Sequence, residues 1–177
     1  MSIEIPGLGP VVLNREFGWY VSEPTSVPAL GAAWRTFILA GYDEDHRKED
    51  FHAAIHNFRT LSKQALIDIE PYLIRYLNDC NQNWNVDDEE YISLQSSADI
   101  WNHVRLGTEP EVSRRGYGDT KVYVSLSCGC DWEPEHGLQL VFREGNRICK
   151  LGPYDGHLTN ADAYAQPELE NVIYRDA

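Results

Sequence analysis

Three runs with a two-residue period, crowded between Lys121 and Leu151, constrain this chain more than anything else in it. The first, K-V-Y-V-S-L-S-C, places Val122, Val124, Leu126 and Cys128 on one face of a strand and Tyr123, Ser125 and Ser127 on the other. The second and third, Gly137 to Arg143 and Arg147 to Leu151, are joined by Glu144-Gly145-Asn146. A Gly-Asn pair between alternating runs is a hairpin turn, so these two strands are expected to be antiparallel neighbours. The C-terminal half therefore commits the chain to a sheet.

The remaining sequence supplies more strands and the helices to cover them. From Ile3 to Glu23, short apolar segments broken by Pro6, Gly7, Gly9 and Pro10 predict an N-terminal meander. Ala32 to Tyr42 reads as one further strand. Asp43, Glu44 and Asp45 then place acids where a helix N-terminus favours them, and Phe51, Ala54, Ile55, Phe58 and Leu61 follow helical spacing. His52 and His56 sit one turn apart on that helix and read as a solvated face. A second helical stripe runs through Ala65, Leu66, Ile69, Leu73 and Leu77, and Pro71 within it demands a kink or a fresh start near Asp68 or Glu70. The polar run from Asn81 to Glu90 predicts a flexible loop, Ser97 a cap for a short helix, and Glu111 to Arg115 an edge strand. Beyond Asn160 a capped helical turn is expected.

These elements predict one α+β domain over residues 1–177: a mainly antiparallel sheet with the helices between Asp45 and Cys80 packed on one face. A chain of 177 residues can bury a core without metals or disulfides as props. Four cysteines, at 80, 128, 130 and 149, are too few and too unevenly spaced for a secreted disulfide framework, and no leader or membrane span is evident, so a cytoplasmic protein with free thiols is expected. The net charge of -13 opposes nucleic acid and anionic membranes, both of which are bound through Lys and Arg; it fits a solvated acidic surface first and steering towards a basic partner second, and charge alone does not choose between them.

Chemistry-bearing residues gather between Cys128 and Asp162. Cys128 and Cys130 point to one side of a strand, with Cys149 and His136 near, which suits a structural zinc site; such sites more often pair cysteines two apart in a turn, and Cys128 fits equally as a small buried hydrophobe. Asp131, Glu133, Glu135 and His136, with Asp155, His157 and Asp162, form a carboxylate and imidazole set drawn from two loops. Of these, Glu133, His136, Asp155 and His157 are the candidate ligands of a divalent metal or the acid and base of a hydrolase. The plainer alternative makes Asp155-Gly156 a turn whose side chain bonds the backbone two residues on. Trp132 and Tyr154 suit either a protein interface or the covering of a sheet.

Two of these runs also carry a resemblance. C-x-W-E-x-E-H-G-L-Q-L-V-F-R-x-G from Cys130 to Gly145, with K-L-G-P-Y-D-G-H-L-T from Lys150 to Thr159, resembles a bacterial family of uncharacterised domains. Some of its members lie beside polymorphic toxin genes in the manner of immunity proteins. The resemblance covers about the last third of the chain and brings no activity with it. It matches at Trp132, Glu133, Glu135, His136, Gly137, Gln139, Asp155, Gly156, His157 and Thr159, without deciding whether the motif serves folding or function. As a binding site the cluster is Trp132, Glu133, Glu135, His136, Gln139, Tyr154, Asp155, His157 and Thr159, and with the acidic charge the expected partner is a basic protein toxin. The reading preferred on these grounds is a non-catalytic, cytosolic, immunity or antitoxin-like inhibitor that needs no cofactor. A metal-dependent hydrolase and a housekeeping protein with a purely structural motif are the alternatives.

Overall fold

The computed structural model describes residues 2–176. It is an α+β protein, mainly antiparallel, whose elements are β1 (Ser2–Ile5), β2 (Gly9–Asn14), β3 (Trp19–Ser22), β4 (Thr25–Ser26), β5 (Trp34–Arg35), β6 (Ile38–Ala40), α1 (Lys48–Arg59), α2 (Lys63–Ile67), α3 (Glu70–Asn81), β7 (Val104–Arg105), β8 (Glu111–Arg114), β9 (Val122–Cys130), β10 (Leu138–Arg143), β11 (Arg147–Gly152) and α4 (Asn160–Tyr164). No helix among the described residues is long and apolar enough to cross a membrane. Contacts divide the chain into two units. One runs to Ser62 and adds Gly107–Leu126 and Phe142–Arg147; the other takes Lys63–Leu106, Ser127–Val141 and the chain from Ile148 onward.

In the first unit the expected meander forms: β1, β2 and β3 pair antiparallel, Val11 opposite both Ile3 and Ser22. Ala32 to Tyr42 is not one strand. Arg35 turns inward, and its guanidinium donates to the carbonyls of Ala33 and Leu30, so the chain breaks after β5. It resumes when Phe37 N–H bonds the Ser22 hydroxyl at 2.8 Å, which brings β6 beside β3. β8 is likewise not an edge. It lies parallel to β6 on one side and antiparallel to β9 on the other, and Val112, fully buried, sits opposite Leu39 and Val124. Helix α1 lays the predicted stripe Phe51, Ala54, Ile55 and Phe58 inward, where Phe58 meets Phe37 and Phe142 edge-on. Burying four such side chains is the main favourable term for this layer, at roughly 1.5–3 kcal/mol for each large one. Arg114 fastens the start of α1 through Asp45 and Asp50.

In the second unit Pro71 begins a helix rather than bending one. It stands in the first turn of α3, where its missing N–H costs nothing. The short 3-10 helix at Ser97–His103 is capped by Ser96, one residue earlier than the sequence suggested, in a reciprocal box with Asp99. β9, β10 and β11 are neighbours, and β7 pairs with the end of β9 at Cys130 and Gly129. α3 turns Leu73, Tyr76 and Leu77 inward. The chain after α4 returns beside β11, Leu151 N–H bonding the Ile173 carbonyl at 2.7 Å, and Tyr174 is buried with its hydroxyl on Asp79.

Candidate functional site

The two loops singled out in the sequence meet in the second unit. Glu133, His136, Pro153, Tyr154, Asp155, His157, Ala163 and Tyr164 line one open groove of about 380 Å³. His136 and His157 thus share a wall system, although they lie on different loops.

The loop before β10 is shaped by Glu133. Its Oε1 accepts the backbone N–H groups of Glu135 at 3.1 Å and His136 at 3.2 Å, and its carbonyl accepts that of Gly137 at 2.9 Å. Gly137 closes the turn with φ +66°. A Cβ there would stand 2.6 Å from the Cys128 carbonyl oxygen, so only glycine fits. Tyr76 of α3 donates its hydroxyl to the Gly137 carbonyl at 3.1 Å and presents its ring edge-on to Trp132. Trp132 is consequently a buried packing residue. Its Nε1 has no hydrogen-bond partner among the described residues.

The loop after β11 is shaped by Asp155, whose Oδ1 accepts the His157 N–H at 2.8 Å, two residues on. The same oxygen takes a second bond, from the ammonium of Lys150 at 2.7 Å. Lys150 is 2 % exposed, and its other acceptor is Gln139 Oε1 at 2.8 Å. Burial pushes the Lys150 ammonium below its ordinary pKa, with the Asp155 carboxylate working against that shift. The loop is thereby tied to the sheet from beneath.

The candidate residues separate into two groups on this geometry. Glu133, His136, Tyr154, Asp155 and His157 line the groove, and Glu135 is exposed beside it. Trp132, Gln139 and Thr159 are buried: Gln139 holds Lys150, and Thr159 caps α4 by accepting the Asp162 N–H at 3.1 Å. Ligand atoms of Glu133, Glu135 and His136 lie within 4.8 Å of one another, whereas Asp155 and His157 are not part of that set. No set of three metal-ligating groups among the described residues contains a cysteine. Cys128, Cys130 and Cys149 are buried free thiols, and burial pushes Cys130 up to about 12.

Sequence reasoning missed three participants. Lys150 was visible only as part of a motif, yet a Lys and a Gln in the middle of two otherwise apolar strands on either side of a tight turn are a signal for a buried polar pair. Tyr164 and Ala163, from α4, complete the groove, and the arginine of Arg175 lies 4.1 Å over the Tyr164 ring. Nothing in the local sequence ties α4 to the other two loops.

Fold and groove together define an α+β protein with an aromatic, carboxylate and imidazole surface set on a hydrogen-bonded frame. The chain belongs to the family described as a domain of unknown function, DUF6985, whose model matches residues 8–158. No curated protein and no solved structure matches it. The family match takes in both shaped loops and ends just before α4.

Proposed function

We propose that this protein is a non-catalytic binding protein and that the groove of its second unit receives a basic segment of a protein partner. The observation that carries this reading is the commitment of the groove's carboxylates to structure. Glu133 Oε1 is held by two backbone N–H groups, and Asp155 Oδ1 by one backbone N–H and the Lys150 ammonium. One oxygen of each carboxylate is thereby spent on the frame, and the second oxygen of each is left to meet a ligand. The lining holds no Ser, Thr or Cys nucleophile. What remains for a ligand is the outward oxygens, two imidazoles and the rings of Tyr154 and Tyr164, about half exposed at 45 % and 43 %. The Tyr154 ring beside the carboxylates suits a Lys or Arg side chain, whereas the Tyr164 ring already carries the guanidinium of Arg175; the charge of -13 favours a basic protein at long range.

The finer role, that of an immunity-type inhibitor whose partner is a toxin effector, rests on the resemblance of the motif block from Cys130 to Thr159. Co-purification followed by affinity measurement against the recovered partner tests it. A partner with net positive charge, bound with an association rate that falls as salt rises, supports the reading. A complex insensitive to salt contradicts it.

A second reading, a divalent-metal site, is favoured by the proximity of Glu133, Glu135 and His136. Glu133 would bind the ion through its second oxygen or share the one that shapes its loop. Metal analysis of the purified protein separates the two readings, because a stoichiometric metal lost in His136→Ala with the fold intact supports the metal site alone.

A further inference from the structure

A second surface of the second unit carries large apolar side chains with nothing over them. Between α3 and the 3-10 helix, residues 82–91 form a loop that is closed at its base by one side chain. Asn81, buried, donates Nδ2 to the Ile92 carbonyl at 2.9 Å and accepts the Ile92 N–H on Oδ1 at 3.2 Å, so that its amide replaces a partner strand. Inside the loop Asp88 accepts the N–H and the side-chain amide of Asn85 on one oxygen and returns its own N–H to the Asn85 carbonyl. The result is a loop folded on its own hydrogen bonds. Its side chains Trp84 and Val86 nevertheless stand 43 % and 74 % exposed.

The Trp84 backbone N–H bonds the Asn81 carbonyl at 3.0 Å, and in this bonded loop the indole remains 43 % exposed; ordered loops that expose aromatic anchors are typical of binding surfaces. The charge around the anchors selects the occupant. Asp87, Glu89 and Glu90 are exposed and have no ion partner among the described residues, while Asp88 is used internally. A second copy of the chain would bring the same carboxylates and the same net charge, and nucleic acid or an anionic membrane would be repelled.

We propose that the 82–91 loop is a docking element for a basic protein, one that offers an apolar pocket to Trp84 and Val86 and Lys or Arg side chains to Asp87, Glu89 and Glu90. The surface is separate from the groove and does not depend on the groove's reading. The partner's pocket would bury the indole, and the surrounding carboxylates would speed encounter and fix orientation.

The test replaces Trp84 with the photo-cross-linker benzoylphenylalanine in the full chain, in cells that make the protein. The adduct is identified and its partner purified for binding measurements. A single main adduct with a protein of net positive charge is expected, with affinity reduced at least about tenfold by Trp84→Ala and association slowed by Asp87→Lys combined with Glu89→Lys. Asp87 and Glu89 are exposed, so their double variant should melt with the unmodified protein; Trp84 is more than half covered, so Trp84→Ala is compared at a temperature where parent and variant are both fully folded. Absence of an adduct, an adduct with a second copy or with an acidic protein, or affinities of both variants within about twofold of the parent would overturn the proposal. Tyr154→Ala serves as the groove control: if it weakens binding while Trp84→Ala does not, the groove stands and the loop falls.

Discussion

The ammonium of Lys150 lies 2.7 Å from Asp155 Oδ1, and that same oxygen holds the His157 N–H. One buried cation therefore sets the turn that lifts His157 and Tyr154 to the groove. It is the joint between the sheet and the loop.

Replacing Asp155 by Asn keeps the turn's shape but leaves the Lys150 ammonium buried with only neutral acceptors. Because Asp155 is itself about a third exposed, solvent screens part of the loss, and a destabilisation of about 1–2 kcal/mol is expected in urea titration. Lys150→Met, which removes the buried charge and retains the volume, should cost less than Asp155→Asn if the ammonium's desolvation nearly cancels its bonds. The opposite order would mean that the ion pair is a net stabiliser.

At the start of α1, Arg114 holds the Asp45 carboxyl below its ordinary pKa through two hydrogen bonds. A group depressed on folding contributes stability that is complete above its unfolded pKa of about 3.9 and is lost as pH falls through the folded value. Asp45→Asn should therefore be less stable than the parent at neutral pH, and the gap should narrow as pH falls below the ordinary carboxylate range. Stability measured from about pH 7 down to pH 2 checks the sign. A gap that persists at the acid end would exclude the ion pair as its source.

Gly137→Ala introduces a Cβ against the Cys128 carbonyl at a residue with φ +66°. Left-handed strain and the collision together should cost at least about 2 kcal/mol. The same substitution at Gly156, φ +79° with open space around it, should cost only the strain, about 1–2 kcal/mol. Equal losses at the two positions would remove the steric account of the loop.

Burial sets the protonation of two of the cysteines. Cys130 is pushed up to about 12 and Cys80 to about 11, so little thiolate forms in the native protein. A chromogenic disulfide reagent at mild alkaline pH should label Cys80 slowly and the other three only after denaturation. Rapid labelling of Cys130 would show the loop before β10 to be open.

How much of this was readable in advance depended on whether local pattern alone decided the matter. The hairpin around Gly145 was legible because period two and a three-residue turn leave one pairing, and Pro71 marked a helix start because its ring cannot lie deeper in a helix. β8 was misplaced because a parallel partner is chosen by long-range contacts, here Leu39 opposite Val112, and not by the strand itself. The break before Phe37 escaped notice because it depends on Arg35 finding carbonyls at Ala33 and Leu30. Within the site, the bond from Asp155 to the backbone two residues on is local and was foreseen as a turn. Trp132 packing on Tyr76 joins segments far apart in the chain, and composition holds no trace of such a meeting; Lys150 beneath Asp155 is only five residues away, but its burial and its second acceptor, Gln139, depend on the neighbouring strand.

The central claim is that the groove is a surface for a basic protein, and Tyr154→Ala tests it most directly, because this ring is exposed and takes no part in the hydrogen-bonded frame. Affinity for the partner recovered by co-purification is measured by calorimetry for the parent and the variant at about 50 and about 300 mM salt. The account predicts an unchanged melting temperature, affinity at least about tenfold lower for the variant, and a parent affinity that falls with salt. An affinity within about twofold of the parent at both salt concentrations would contradict it.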